Sequence, residues 1–118
     1  MTSSNTLSGP PVSVGVRLEE WVTPVVVVTL AGEVDAFLAA DLERCIDEAL
    51  AQRRPVVVDA YDVSFMDSTG LGFLARLASR SGERHITVLG APEHVRHLVH
   101  RARLDVMIDL QTHPGATA

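Results

Sequence analysis

Three short apolar runs, separated by stretches of helical period, limit what this chain can fold into more than any other feature. Residues 25–30 hold four valines, Thr29 and Leu30; residues 56–58 are all valine; residues 86–89 are Ile86, Thr87, Val88 and Leu89. Such runs suit short strands buried on both faces. After the first run, Gly32 ends the strand and Asp35 can cap a helix. In that helix Leu38, Leu42, Cys45, Ile46 and Ala49 recur as one apolar stripe, and Pro55 requires it to have stopped. A second helix is expected over residues 68–81, with Gly82 as its stop. A third opens with Pro92 in its first turn and buries Val95, Leu98, Val99 and Ala102. Residues 107–110 fit a short last strand. At the other end Val12, Val14, Val16 and Leu18 alternate with polar or small residues, as in a half-buried strand able to pair antiparallel with the next.

Strands joined through helices need long crossovers, so most of the sheet is expected to be parallel. The predicted fold is α/β. It is a single domain with a mixed, mostly parallel sheet of four to five strands and about three to four helices. The order is β-β-α-β-α-β-α. Residues 1–11, rich in Ser, Thr, Gly and Pro, read as a disordered leader, residues 12–110 as the domain, and residues 111–118 as a flexible tail.

A chain of 118 residues can build its own core without staples. The lone Cys45 has no internal disulfide partner, which points to a reducing compartment. No apolar run approaches the ~18 residues of a membrane span, and the first residues lack a signal-peptide pattern. The chain therefore reads as cytoplasmic, with no membrane partner. Fifteen acids against ten bases give a net charge of −5, which argues against nucleic acid. All ten bases are arginine, so mechanisms that require a lysine are excluded.

The functional signal lies in residues 62–74, between the third strand and the second helix. Asp67, Ser68 and Thr69 are each plausible N-caps. A helix N-terminus tolerates an added anion, so a phosphate on Ser68 would bring about −1.5 to −2 charges without melting the helix. Gly70 and Gly72 each cost up to ~1 kcal/mol relative to alanine inside a helix, which suggests a close approach to the backbone. The buried stripe is read as Leu71, Leu74, Ala75 and Ala78. Phe73 and Leu77 then lie on an apolar flank suited to docking a protein. On residue chemistry alone, a Ser-Thr pair at a helix start reads first as a plain cap.

Phe65-Met66-Asp67-Ser68-Thr69-Gly70-Leu71-Gly72 resembles the signature of STAS domains, specifically the bacterial anti-sigma factor antagonists. Gly32-Glu33-Val34-Asp35, Val56-Val57-Val58-Asp59 and Leu89-Gly90-Ala91-Pro92-Glu93-His94-Val95-Arg96 resemble further segments of that family, so the likeness covers about residues 12–110. The resemblance implies a partner switch. The unphosphorylated protein binds an anti-sigma factor that is also a serine kinase with an ATP-binding GHKL-type domain, and this frees a sigma factor. Phosphorylation of Ser68, with Thr69 the lesser acceptor, releases the complex, and a serine phosphatase resets it. Asp67 and Asp35 are expected beside the acceptor. Together with the residue-level reading, the expected partner surface is Asp35, Asp67, Ser68, Thr69, Gly70, Gly72, Phe73 and Leu77. The family's Asp-Leu-Ser before the motif is replaced here by a segment holding the larger Tyr61.

Other chemistries fit less well, and no catalytic residue, cofactor or metal is expected. Asp67-Ser68-Thr69-Gly70 only superficially resembles the aspartic protease Asp-Thr-Gly, and no second copy exists. Gly-x-Ser-x-Gly and the phosphate-binding Gly-Lys loop are both missing. A phospho-aspartate receiver at Asp59 would need an acidic pair after the first strand and a later lysine. His94, His97 and His100 read as a solvated helix face rather than a zinc site, and Cys45 as a small core residue. The same module also occurs in anion transporters, which the missing membrane spans exclude, and in stress-signalling assemblies and lipid-transport complexes. The alternative role is a STAS subunit of one of the latter two, acting only by protein binding.

Overall fold

A computed structural model describes residues 13–20, 23–82 and 86–112. The expected leader, Val12 and residues 113–118 of the expected tail lie outside the described residues. Five strands and three α-helices occur among the described ones: β1 (Ser13–Glu20), β2 (Pro24–Val34), α1 (Ala39–Ala51), β3 (Val56–Met66), α2 (Ser68–Arg80), β4 (Ile86–Leu89), α3 (Glu93–Arg101) and β5 (Ile108–Gln111). Short 3-10 turns at Ala36–Leu38 and Leu104–Val106 precede α1 and β5.

The strands lie side by side in chain order, β1-β2-β3-β4-β5. β1 and β2 pair antiparallel; every later pair is parallel. Each parallel step moves one strand over in the same direction. Right-handed crossovers then place successive helices on one face of the sheet. The packing agrees, because α1, α2 and α3 all bury side chains in one cluster with Val26, Val28, Val56, Val58, Ile86 and Val88. The opposite parity of the same strands, Val25, Val27, Val57 and Leu89, forms a second, smaller cluster.

The element order and the α1 stripe match expectation, and Leu38, Leu42, Cys45, Ile46 and Ala49 are all buried. Five details differ. β2 and β3 each run to eleven residues, well past Leu30 and Val58. They continue because register shifts between Thr29 and Ala31 and between Gly32 and Glu33 re-aim side chains without ending the ladder. Pro92 is the N-cap of α3 rather than part of its first turn, and Ala102 lies exposed beyond its end. Gln111 closes β5 instead of opening a tail. Asp35 caps the 3-10 turn that leads into α1, not α1 itself.

Two glycines carry packing that no other residue could. Gly70, in the first turn of α2, lies against Met66 and Val34. A Cβ there would come within 3.0 Å of Val34 Cγ1 and of Met66 Sδ, and closer still to Met66 Cγ. Gly90, after β4, has φ +69 and lies under the ring of Tyr61. The Tyr61 hydroxyl donates to the carbonyl of Thr112, and the Gly90 N–H donates to the Gln111 carbonyl at 2.9 Å. The tyrosine that departs from the family pattern thus ties the middle of β3 to the ends of β4 and β5.

Two measurements check this packing. Gly70→Ala overpacks a closed site and should lower unfolding free energy by about 1–3 kcal/mol in urea denaturation. Burial pushes the Cys45 thiol up from 9.0 to about 12, with the charge of Glu48 adding to it. The native protein should then be inert to a thiol reagent at about pH 8 and react once unfolded. Above pH 9 the unfolded chain releases a proton that the folded chain keeps, so stability should fall as pH rises from 9 toward 12.

Candidate functional site

The longer β2 and β3 bring two motifs together at one end of the sheet. Glu33 pairs with Phe65 and Val34 with Met66, after which both strands turn away at Asp35 and Asp67. The two aspartates make the same local bond. Asp35 Oδ1 accepts from the Phe37 N–H at 3.1 Å, and Asp67 Oδ1 accepts from the Thr69 N–H at 2.8 Å. Each carboxylate satisfies a donor that the following turn leaves open. The Asp67 N–H also donates to the Val34 carbonyl at 3.2 Å, which binds the start of α2 to the end of β2. Sequence spacing alone could not place Asp35 beside Asp67; the ladder does.

Of the three possible caps of α2, Asp67 is the one used. Ser68, the first helical residue, is exposed, and its hydroxyl has no hydrogen-bond partner among the described residues. Thr69 is half-buried and gives its N–H to the cap. Gly70 is fully enclosed by the packing described above. Gly72 is half-buried, and a Cβ there would meet only the far end of the Arg76 side chain, at 3.3 Å. The close approach expected at the two glycines is therefore made by the sheet, and only at Gly70.

Phe73 and Leu77 are not a docking flank. Both are fully buried, 0% exposed, and Phe73 is the largest side chain in the core. The inward face of α2 is Gly70, Phe73, Leu74, Leu77 and Ala78, while Leu71 and Ala75 sit half-buried at its border. The helix is apolar over more than half its circumference, so periodicity supports either stripe. A glycine at position 70 lets that face press closest to the sheet, and the stripe turns with it.

The apolar groups exposed at this edge are others. Phe37 is 93% exposed, two residues beyond Asp35. Phe65 is 47% exposed and stacks on the His94 ring, with centroids 6.1 Å apart and planes 17° from parallel. Neither exposure follows from the sequence motifs. Their signal was parity: Phe37 falls outside the Leu38 stripe of α1, and Phe65 alternates with the buried Met66.

The three histidines of α3 point to different partners. His94 stacks on Phe65, His97 lies 3.6 Å from Glu93, and His100 Nδ1 is 2.9 Å from Asp105. No group of three or more metal-ligating side chains occurs among the described residues. A groove of about 540 Å³ lies between α3 and β5, bordered by His97, His100, Asp105 and Leu110 among others. Neither Asp67 nor Ser68 lines it. None of the helices is long and apolar enough to cross a membrane among the described residues.

Residues 19–111 match the protein family described as Mlab, STAS domain. No curated protein matches the chain. Among solved structures, an anti-sigma factor antagonist from Mycobacterium paratuberculosis is 30% identical, over 86% of this chain and 87% of its own, with a TM-score of 0.71. The Bacillus cell fate determinant SpoIIAA in its phosphorylated form is 22% identical over 83% and 92%, with a TM-score of 0.63. An anti-sigma-factor antagonist (STAS) domain protein from Planctomyces limnophilus is 15% identical over 86% and 93%, at 0.64. The last two speak to the fold, and the first, with the family match, to descent. The chain belongs to the STAS domain family.

Proposed function

We propose that this protein is an anti-sigma factor antagonist that works by reversible binding and catalyses nothing itself. Unphosphorylated, it holds an anti-sigma factor that is also a GHKL-type serine kinase, and so frees a sigma factor in the cytoplasm. Phosphorylation of Ser68 releases the kinase, and a serine phosphatase restores binding. The observation that carries this reading is the exposed, unpartnered Ser68 hydroxyl directly after a cap that belongs to Asp67. The hydroxyl can be modified without removing a bond the fold uses.

The physics of release favours the same reading. A phosphate dianion at Ser68 follows the Asp67 carboxylate directly, and Asp35 leaves the neighbouring strand at the same level, one residue past the Val34–Met66 pair. Burying it against a partner requires desolvation, which costs several kcal/mol when no matched cation is offered. Each 1.4 kcal/mol is a tenfold change in affinity, so the penalty suffices for a switch. The strand order also fits a binding role. Ligand crevices in open α/β sheets form where the strand order reverses, and here it never does. The edge is a surface for a protein rather than a cleft for a small substrate.

A second reading is a STAS subunit of a stress-signalling assembly or lipid-transport complex that acts only by protein binding. The Asp67 cap favours it too, because the edge is complete without any phosphate. Calorimetry with purified kinase separates the two. Under the switch, Ser68→Ala should bind like the wild type while Ser68→Asp loses at least about tenfold in affinity, and phosphopeptide mass spectrometry should find the kinase's product on Ser68. Equal affinity of both variants would favour the second reading.

A further inference from the structure

Phe37 is the least covered apolar side chain at the edge that carries Ser68. Its backbone is held, because its own N–H is bonded to Asp35, whose strand end pairs with that of Asp67. Phe65 is half-exposed on the neighbouring strand and is held by its stack on His94. Glu33 lies opposite Phe65 in the ladder, and Asp35 and Asp67 follow the two strands. Glu33, Asp35 and Asp67 have no ion-pair partner among the described residues, so this end of β2 and β3 carries three uncompensated carboxylates.

We infer that Phe37, with the stacked Phe65, is the apolar anchor of the partner contact, and that it enters a hydrophobic pocket rimmed by arginine or lysine on the anti-sigma kinase. The occupant rests on the function proposed above; the anchor goes beyond the phosphorylatable motif. Aromatic side chains at the centre of an interface, ringed by polar groups, dominate binding energy. Charges at the rim act mainly on encounter rate and salt dependence. The carboxylates thus orient the kinase, and the ring of Phe37 holds it.

The test uses the full chain and the purified GHKL-type serine kinases of the same genome, by calorimetry without ATP. Phe37→Ala should fold normally, with an unchanged denaturation midpoint, because the side chain packs on nothing. It should weaken binding to the kinase that holds the wild type by at least about tenfold, while Phe37→Tyr stays within about threefold. Raising salt from about 0.1 to 0.5 M should weaken wild-type binding. If Phe37→Ala binds like the wild type while Ser68→Asp does not, the anchor is overturned and the switch stands. If Phe37→Ala loses binding while Ser68→Asp keeps it, the anchor stands and the switch falls. Failure of every kinase to bind the wild type overturns both. A wild-type dimer in sedimentation that Phe37→Ala converts to monomer overturns the anchor in favour of contact between two copies of this chain.

Discussion

The pairing of Val34 with Met66 is the constraint on which the rest of the edge depends. It ends two parallel strands at the same level, so that two turns begin side by side. Gly70 lies on both of these residues, which lets α2 start flush with the sheet rather than above it. Magnitudes separate what fixes the helix from what trims it. Burying Phe73, Leu74 and Leu77 contributes roughly 1.5–3 kcal/mol each, while an Asp N-cap contributes ~1 kcal/mol. The core decides where α2 lies, and Asp67 decides where it begins. Ser68 takes part in neither task.

The monotonic strand order has a second effect. Among the described residues all three α-helices lie on one face, and none flanks the ends of β2 and β3 from the other. Side chains at this edge therefore project from short turns onto an open surface. Acidic and aromatic groups stand there without closing a pocket.

Much of this was legible in the sequence because β-branched runs and helical stripes repeat with clear periods. The α1 stripe, the limits of β4 and the antiparallel start all follow from residue type and spacing. What was not legible came from packing. The register shifts near Thr29 and Gly32 carry β2 past a glycine that reads as a stop. The inward face of α2 turns on Gly70, a residue with no side chain to contribute to a periodicity. The α2 stripe read from spacing therefore leaves Phe73 and Leu77 outward, whereas both lie at the heart of the core. Phe37 lies outside the α1 stripe, but a single off-stripe aromatic carries no periodic signal of its own. The nearness of Asp35 to Asp67, thirty-two positions apart, is implied by the family resemblance and not by spacing, and the parallel ladder produces it.

Tyr61 gives the far side of the sheet a mechanical character of its own. β5 has four residues and a single neighbouring strand, so by itself it would peel readily. The phenol clasps the Thr112 carbonyl from the middle of β3. Load applied at the carboxyl end, by a fused domain or a tether, therefore passes through one side chain into the central strand before it can unzip the last one.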